Sequence, residues 1–494
     1  MLSDPLPTII QGGMGAGVSG WQLARAVSIA GQLGVVSGTA LDVIMARRLQ
    51  TGDVGGHVRR ALEHFPIAGV AGRVLDRYFV PDGKLADRPF KSKPVAHEKP
   101  SRRLEELMVA ANFVEVFLAR EGHEGAVGIN FLEKIQLPTL PSLYGAMLAG
   151  VDCVLMGAGI PRAIPGILDL LAVGQPVELR LDVQGAGADV FTTRFDPGAL
   201  FDGAAPKLSR PDFIAIVSLA PLASVLARKA SGKVNGFVIE GPTAGGHNAP
   251  PRGQGPLSVA GEPIYGERDV ADLEAIRALG LPFWLAGSYA RPERITEALE
   301  AGAAGVQIGT AFAYCAESGL DDDLKRRVLA MSRAGEARIF TDPVASPTGF
   351  PFKMLQMADT HSEAATYEKR SRICDLGYLR HAYKKPGGSI GWRCPAEPVV
   401  DYVRKGGAEE ETRGRKCLCN GLMANIGLGQ IHSGELEKPS ITSGDDVADV
   451  ARFLQPGAMS YTAADVIASL LGAATREPIV VTSAAGTPPA PSAV

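Results

Sequence analysis

Among the 494 residues there is no apolar run near the ~18 needed to cross a bilayer, so a membrane-spanning helix is not expected. The opening residues, Met1-Leu2-Ser3-Asp4-Pro5, lack the charged and apolar regions of a secretion signal, and a cytoplasmic location is the expectation. Charge of one sign is missing too. Fifty lysines and arginines stand against 53 aspartates and glutamates, which gives no footprint for nucleic acid or for an anionic membrane surface. Cysteine is sparse: six residues, read as thiols or ligands rather than disulfides in a reducing compartment. Eight histidines sit at irregular spacing with no H-x-x-x-H pair, so a mononuclear metal site built on them is not expected.

Apolar residues make up 46% of the chain, enough for a large core, and 59 glycines and 35 prolines are spread over turns. Only residues 485–494 read as a disordered tail. Short apolar runs recur eight times, all but the third leading into a glycine or serine turn. They are Pro7 to Gln11, Leu33 to Ser37, Ala126 to Phe131, Cys153 to Met156, Phe213 to Val217, Val234 to Ile239, Phe283 to Ala286 and Ala304 to Ile308. Helical spacing of apolar residues lies between them, at Trp21 to Ala30, Pro141 to Ala149, Leu219 to Ala230, Val270 to Leu279 and Arg291 to Ala301. Continuous apolar strands alternating with amphipathic helices predict a parallel sheet. Eight units predict an α/β chain folded as a (β/α)₈ TIM barrel over residues 1–318; a doubly wound open sheet is the alternative. Two insertions interrupt it, at about 45–125 and 162–212. The second contains a hairpin pattern with Gln184-Gly185-Ala186-Gly187 at its tip. Past residue 318 the repeat stops, and 319–484 reads as a loop-rich C-terminal extension with helices at Leu320 to Ala334 and Thr462 to Leu471.

In a parallel barrel the chemistry sits at the C-terminal ends of the strands, and every special loop of this chain falls there. The strand ending at Ile239 runs into Glu240-Gly241-Pro242-Thr243-Ala244-Gly245-Gly246-His247. Glycines let backbone approach a flat ligand or an anion, and a histidine among them can exchange protons near neutral pH; a tight turn with a solvated histidine would look the same. Ala286-Gly287-Ser288 and Gly309-Thr310 close the seventh and eighth strands, where such barrels hold a phosphate, although glycines also simply terminate strands. Gly12-Gly13-Met14-Gly15-Ala16-Gly17 looks like a dinucleotide fingerprint without the βαβ unit and acidic partner that would support one. It reads instead as backbone laid flat against a ring system, with Met14 as an apolar contact.

Taken in order, Ile9-Ile10-Gln11-Gly12-Gly13-Met14, Gly128-Ile129-Asn130-Phe131, Ala244-Gly245-Gly246-His247, Leu285-Ala286-Gly287-Ser288 and Gln307-Ile308-Gly309-Thr310 resemble the nitronate monooxygenase (2-nitropropane dioxygenase) family. That family includes FMN-dependent enoyl-acyl-carrier-protein reductases and polyketide-associated reductases. The resemblance covers roughly residues 7–315 and implies an FMN-dependent TIM barrel. It implies that Gly12, Gly13 and Met14 face the isoalloxazine ring and that Asn130 bonds its polar edge. Gly245 and Gly246 would approach the phosphate side; Ala286, Gly287, Ser288, Gln307, Gly309 and Thr310 would hold the ribityl chain and phosphate. His247 matches the catalytic histidine. The Gly-Pro-Thr-Ala before Gly245, the insertions and the extension depart from the minimal family barrel, which leaves the substrate open.

The expected activity is oxidation of nitronates or nitroalkanes by O₂ with His247 as base, on a small-molecule substrate. The alternative is an enoyl-thioester reductase drawing on NAD(P)H, and a third reading is a non-catalytic barrel scaffold. Association into homo-oligomers is left open. Cys374, Cys394, Cys417 and Cys419 cluster in the extension. Four thiolates together can bind zinc or an iron–sulfur cluster, but the spacing matches no standard zinc finger, and four unrelated buried thiols are the plain alternative. Cys153 and Cys315 read as core.

Overall fold

A computed structural model describes residues 2, 5–201, 203–253 and 255–472; the tail expected at 485–494 lies outside these. All eight expected strands form, each within about two residues of its sequence pattern. They are β1 (Ile9–Gln11), β2 (Gly34–Ser37), β3 (Val127–Leu132), β4 (Cys153–Gly157), β5 (Asp212–Val217), β6 (Gly236–Glu240), β7 (Phe283–Ala286) and β8 (Gly305–Ile308). Their order in the sheet is β1-β8-β7-β6-β5-β4-β3-β2, and every pair is parallel. A parallel bridge between Ile10 and Leu33, with Gln11 N–H on the Leu33 carbonyl at 2.9 Å, brings the two ends together. The sheet is a (β/α)₈ barrel, and the open-sheet alternative falls away.

Alternation along the strands separates two apolar populations. Ile10, Val35, Cys153, Leu155, Ile214, Val238, Trp284 and Ala286 pack together as one buried cluster that fills the barrel interior. Their neighbours in sequence, such as Ile9, Val36, Val154, Phe213, Phe237 and Leu285, pack outward against the helices. This is why the strands read as unbroken apolar runs: both faces are covered.

The connections depart from expectation in detail. The segment between β2 and β3 carries helices at Leu41–Gln50, His57–Glu63, Val70–Tyr78 and Arg102–Arg120. The polar, lysine-rich stretch from Lys91 to Arg103 within it is not all surface. Lys93 is buried against Asp42 at 2.9 Å, each 4% exposed, and the Tyr378 hydroxyl from the extension donates to the same carboxylate. Between β4 and β5, Val177–Arg180 and Thr192–Phe195 pair antiparallel as expected. Val183–Gln184 near the tip leaves that hairpin and pairs with His381–Lys384. The helix expected over Val270 to Leu279 shortens to Leu273–Arg277, because Asp272 accepts from Ala275 N–H and caps it late.

The extension is more ordered than its loop-rich composition predicts. It forms the hairpins Ile339–Asp342 with Phe352–Leu355 and His381–Lys384 with Ile390–Arg393, and short helices that include Leu418–Ala424. It lies over the C-terminal ends of the barrel strands. Gly444 N–H donates to Thr310 Oγ1 at 3.0 Å, Gly246 N–H to Thr442 Oγ1 at 2.9 Å, and the Tyr461 hydroxyl to the Ala311 carbonyl at 2.6 Å. Among the described residues no helix is long and apolar enough to cross a membrane.

Candidate active site

A cavity of about 230 Å³ opens where the strands end under the extension. Every expected cofactor-binding residue lines it: Gly12, Gly13, Met14, Asn130, Gly245, Gly246, Ala286, Gly287, Ser288, Gln307, Gly309 and Thr310. His247 lines it as well. Barrel register explains the convergence. Gln11 stands beside Ile308, Ala286 beside Gln307, Glu240 beside Ala286, and Ser37 beside Asn130, so each loop leaves its strand at nearly the same height.

The first loop is pinned from below by two buried side chains. Gln11 Nε2 donates to Ser19 Oγ at 2.9 Å and its Oε1 accepts from Val35 N–H at 3.0 Å. Ser19 in turn donates to the Gly12 carbonyl at 2.8 Å and accepts from Met14 N–H at 2.9 Å. Glycine at 13 is a matter of space: an added Cβ would collide with Asn130 Cβ and stand 3.1 Å from its Cγ. Glycine at 287 is a matter of conformation, with φ +103°, and a Cβ there would reach 2.8 Å from Thr243 Oγ1. Ser288 follows it with φ +58°, a strained value for a residue with a side chain.

Gln307 Oε1, Thr39 Oγ1 and Asn425 Oδ1 are buried on the cavity wall without a hydrogen-bond partner in the protein. Buried polar atoms without partners are costly, so this wall is built to meet a ligand with donors of its own. A polyhydroxylated chain attached to a flat heterocycle fits that wall and the flat glycine backbone. Among the described residues the lining contains no Lys or Arg, so a phosphate there would be held by N–H groups and hydroxyls, Thr310 and Thr442 among them. Asp446 lies beside Ser288 on the same wall, and burial raises its pKa, which eases its presence next to an anion.

His247 is fixed by residues distant in sequence. Its backbone pairs with Phe352 as a β-bridge, with Asn248 N–H on the Pro351 carbonyl and Lys353 N–H on the Gly246 carbonyl, both at 3.0 Å. Its ring meets the Phe352 ring at 62° with centroids 4.8 Å apart. Nε2 lies 2.7 Å from the fully buried Ser346 Oγ, which lies 2.8 Å from Thr348 Oγ1. Burial pushes the His247 pKa down to about 4, so the ring is neutral at pH 7. On the same wall, burial pushes Glu240 up to about 7.

The sequence reading missed Glu240, which stands inside the quoted motif but carried no role there. It also missed Ser346, Thr348 and Phe352, for which no local pattern existed. Nor did it foresee the roof. Phe131, Leu132 and Ile135 from the barrel face Tyr378, Leu379, Leu418, Leu422 and Ile441 from the extension across one apolar vault.

The four cysteines of the extension do converge: Cys394 and Cys417 are buried around Ala396, with Cys374 and Cys419 packed against them. Among the described residues, however, no group of three His, Cys, Asp or Glu could hold a metal ion, so the arrangement lends the expected zinc or iron–sulfur site no support. Cys153 lies in the barrel interior and Cys315 in the outer core, as expected.

The barrel and its site define a class by fold, a (β/α)₈ barrel with a cavity at the strands' C-terminal ends. Residues 174–347 match the family described as nitronate monooxygenase, so over this stretch the resemblance read from the motifs stands. No curated protein matches the chain. Among solved structures, FabK from Thermotoga maritima is similar at 15% identity, covering 94% of this chain and 91% of that one, with a TM-score of 0.45. Nitroalkane oxidase from Streptomyces ansochromogenes is 15% identical over 94% and 95% of the two chains, with a TM-score of 0.44. The enoyl reductase domain of MlnA from the macrolactin biosynthesis cluster of Bacillus amyloliquefaciens is 10% identical over 93% and 91%, with a TM-score of 0.44.

Proposed function

We propose that the chain is an FMN-dependent reductase of apolar, carbonyl-conjugated acyl chains, an enoyl-thioester reductase in chemical class. The observation that carries this reading is the apolar vault of Phe131, Leu132, Ile135, Leu379, Leu418 and Leu422, facing a neutral His247. A small nitronate would leave that vault in water. An alkyl or polyene chain would fill it, at ≈ 25 cal/mol for each Å² of apolar surface removed from water.

A bound FMN supplies two-electron hydride chemistry; the chain supplies position and polarity. Gly12 and Gly13 bring backbone against the ring, and Asn130 and Gln307 offer side-chain amides to its polar atoms. Thr348, Ser346 and His247 form a line of hydrogen bonds. In this reading Ser346 donates to Nε2, which puts the proton of the neutral ring on Nδ1. That N–H is a donor suited to polarising a thioester carbonyl without first having to be charged. Glu240, held near neutrality, can deliver or accept a proton at the same wall.

Nitronate oxidation is the second reading, favoured by the family matched over residues 174–347. It suits a depressed His247 less well, because a base whose conjugate acid has a pKa near 4 is weak toward a nitroalkane C–H. Stopped-flow under argon, together with oxygen uptake measured in air, separates the two. The proposal expects NADPH to bleach the flavin and a long-chain enoyl thioester to restore its colour. Sustained oxygen consumption with propionate 3-nitronate, with no reoxidation by any enoyl thioester, would establish the second reading instead.

A further inference from the structure

Three deeply buried side chains of the cavity wall end in polar atoms that nothing in the chain satisfies. Tyr314, Asn425 and Ser443 are 1%, 1% and 4% exposed, and all three line the cavity. The Tyr314 hydroxyl, Asn425 Oδ1 and the Ser443 hydroxyl each lack a hydrogen-bond partner among the described residues. The two hydroxyls are neighbours, but they are not in bonding geometry with each other. Asn425 is oriented from behind: its Nδ2 donates to the Ser440 carbonyl at 2.8 Å, which leaves Oδ1 to the cavity. An orphaned polar group inside a protein is costly, and phenylalanine, leucine and alanine would fill the same space without that cost.

Their place in the fold indicates the ligand they face. Tyr314 directly follows the short helix Thr310–Ala313, which opens after β8. Ser443 belongs to a strap, Thr442 to Asp446, that runs between the strand-end loops. Thr442 Oγ1 accepts from Gly246 N–H, Gly444 N–H donates to Thr310 Oγ1, and Asp445 N–H donates to the Thr243 carbonyl at 3.1 Å. The strap is tight against the glycine loop, for a Cβ added to Gly245 would stand 2.7 Å from the Gly444 nitrogen. Tyr314 and Ser443 therefore border the Gly245 and Thr310 loops, to which the flavin reading gives the sugar-alcohol chain and phosphate. Asn425 reaches the same cavity from the end of the helix Leu418–Ala424.

Asn425 Oδ1 only accepts, so its partner must donate; tyrosine and serine hydroxyls both donate and accept. A chain of aliphatic hydroxyls can pair with all three. A phosphate or carboxylate cannot, since its anion offers Asn425 Oδ1 no proton, and an alkyl chain would leave every one of them orphaned. We propose that Tyr314, Asn425 and Ser443 form a hydroxyl-binding subsite that takes the ribityl chain of the flavin. The subsite rests on the flavin reading above and makes the extension part of the cofactor site. Asn425 and Ser443 lie outside the matched stretch 174–347, and Tyr314 lies outside the motifs that carry the resemblance.

The test titrates the full chain, freed of flavin, with FMN, riboflavin and lumiflavin, followed by flavin fluorescence. Lumiflavin keeps the ring system and has a methyl group where riboflavin has its hydroxylated chain. Tyr314→Phe and Ser443→Ala each remove one hydroxyl; Asn425 is left in place because its Nδ2 also holds Ser440. Each variant should bind FMN and riboflavin roughly 2–13-fold more weakly than wild type, the worth of one neutral hydrogen bond, and lumiflavin within about twofold of it. Thermal unfolding of the flavin-free protein supplies a second readout. Losing a hydroxyl that has no partner leaves the unfolding midpoint unchanged or higher, whereas losing one bonded within the protein lowers it. Unchanged FMN affinity in the double variant overturns the subsite, and so does a lowered midpoint in either variant or an equal weakening of all three flavins. A wild-type protein that binds no flavin overturns the cofactor reading itself, which separates the two failures.

Discussion

Ser346→Ala is the most direct challenge to the proposed role of His247. The Ser346 hydroxyl is fully buried, sits 2.7 Å from His247 Nε2, and is the group among the described residues that fixes that nitrogen. Its removal leaves a buried ring nitrogen without a partner, which costs about 1–3 kcal/mol. Part of that cost is met in the resting protein, by a ring that turns or exchanges its tautomer. If the polarising N–H is then misdirected in the transition state, kcat/KM falls by roughly 5–150-fold, at about 1.4 kcal/mol per tenfold. Anaerobic flavin reoxidation by an enoyl thioester is the assay, with FMN affinity measured alongside by fluorescence. Nitrogen NMR of the histidine supplies a readout that general destabilisation would not move: the single tautomer of the wild type should become a mixture. His247→Ala should lose more activity than Ser346→Ala. A Ser346→Ala protein that keeps its kcat/KM within about twofold while His247→Ala loses activity would refute the positioning argument. A fully active His247→Ala would refute the role of the histidine itself.

Gly13→Ala should weaken FMN binding by roughly 5–150-fold, the equivalent of 1–3 kcal/mol of overpacking, because the new methyl displaces Asn130 from the ring's edge. Gly72→Ala, exposed on a helix with nothing within 4 Å of its added Cβ, is the control; an FMN titration in which the two behave alike would sink the close-approach reading. Glu240 gives a pH-dependent stability. Its folded pKa of about 7 lies above the ordinary 4.5, so its contribution is complete below pH 4.5 and is lost as pH rises through 7. Glu240→Gln should remove that slope and leave the flavin-free variant up to roughly 3 kcal/mol more stable than wild type at pH 8. Denaturant titrations that show parallel slopes for both proteins between pH 5 and 8 would mean that the carboxyl is solvated after all.

The barrel was legible in the sequence because eight strands covered on both faces leave unbroken apolar runs, and because all but the third of these runs lead into glycine or serine where the loop begins. Local spacing also exposed Gly12, Gly13, Gly287 and Gly309, since each is the residue type its strand end demands, while Asn130 came from the family resemblance. The helix over 270–279 was overestimated because Asp272 caps it inside the apolar pattern. In the extension the pairing is long-range. Phe352 joins the strand next to Gly246 and His247, and Val183 pairs with Ala382, contacts that no window of neighbouring residues contains.

Sequence alone thus determined the strands, their glycine-lined ends and the presence of one histidine among them, because these are set by local periodicity and by which residues a tight turn tolerates. Tertiary structure decided what that histidine is. Its neutrality comes from burial under a segment a hundred residues away, and its orientation from a hydroxyl on that segment. The apolar vault above it exists only because barrel loop and extension face each other, and burial is a property of the assembled chain rather than of any stretch of it.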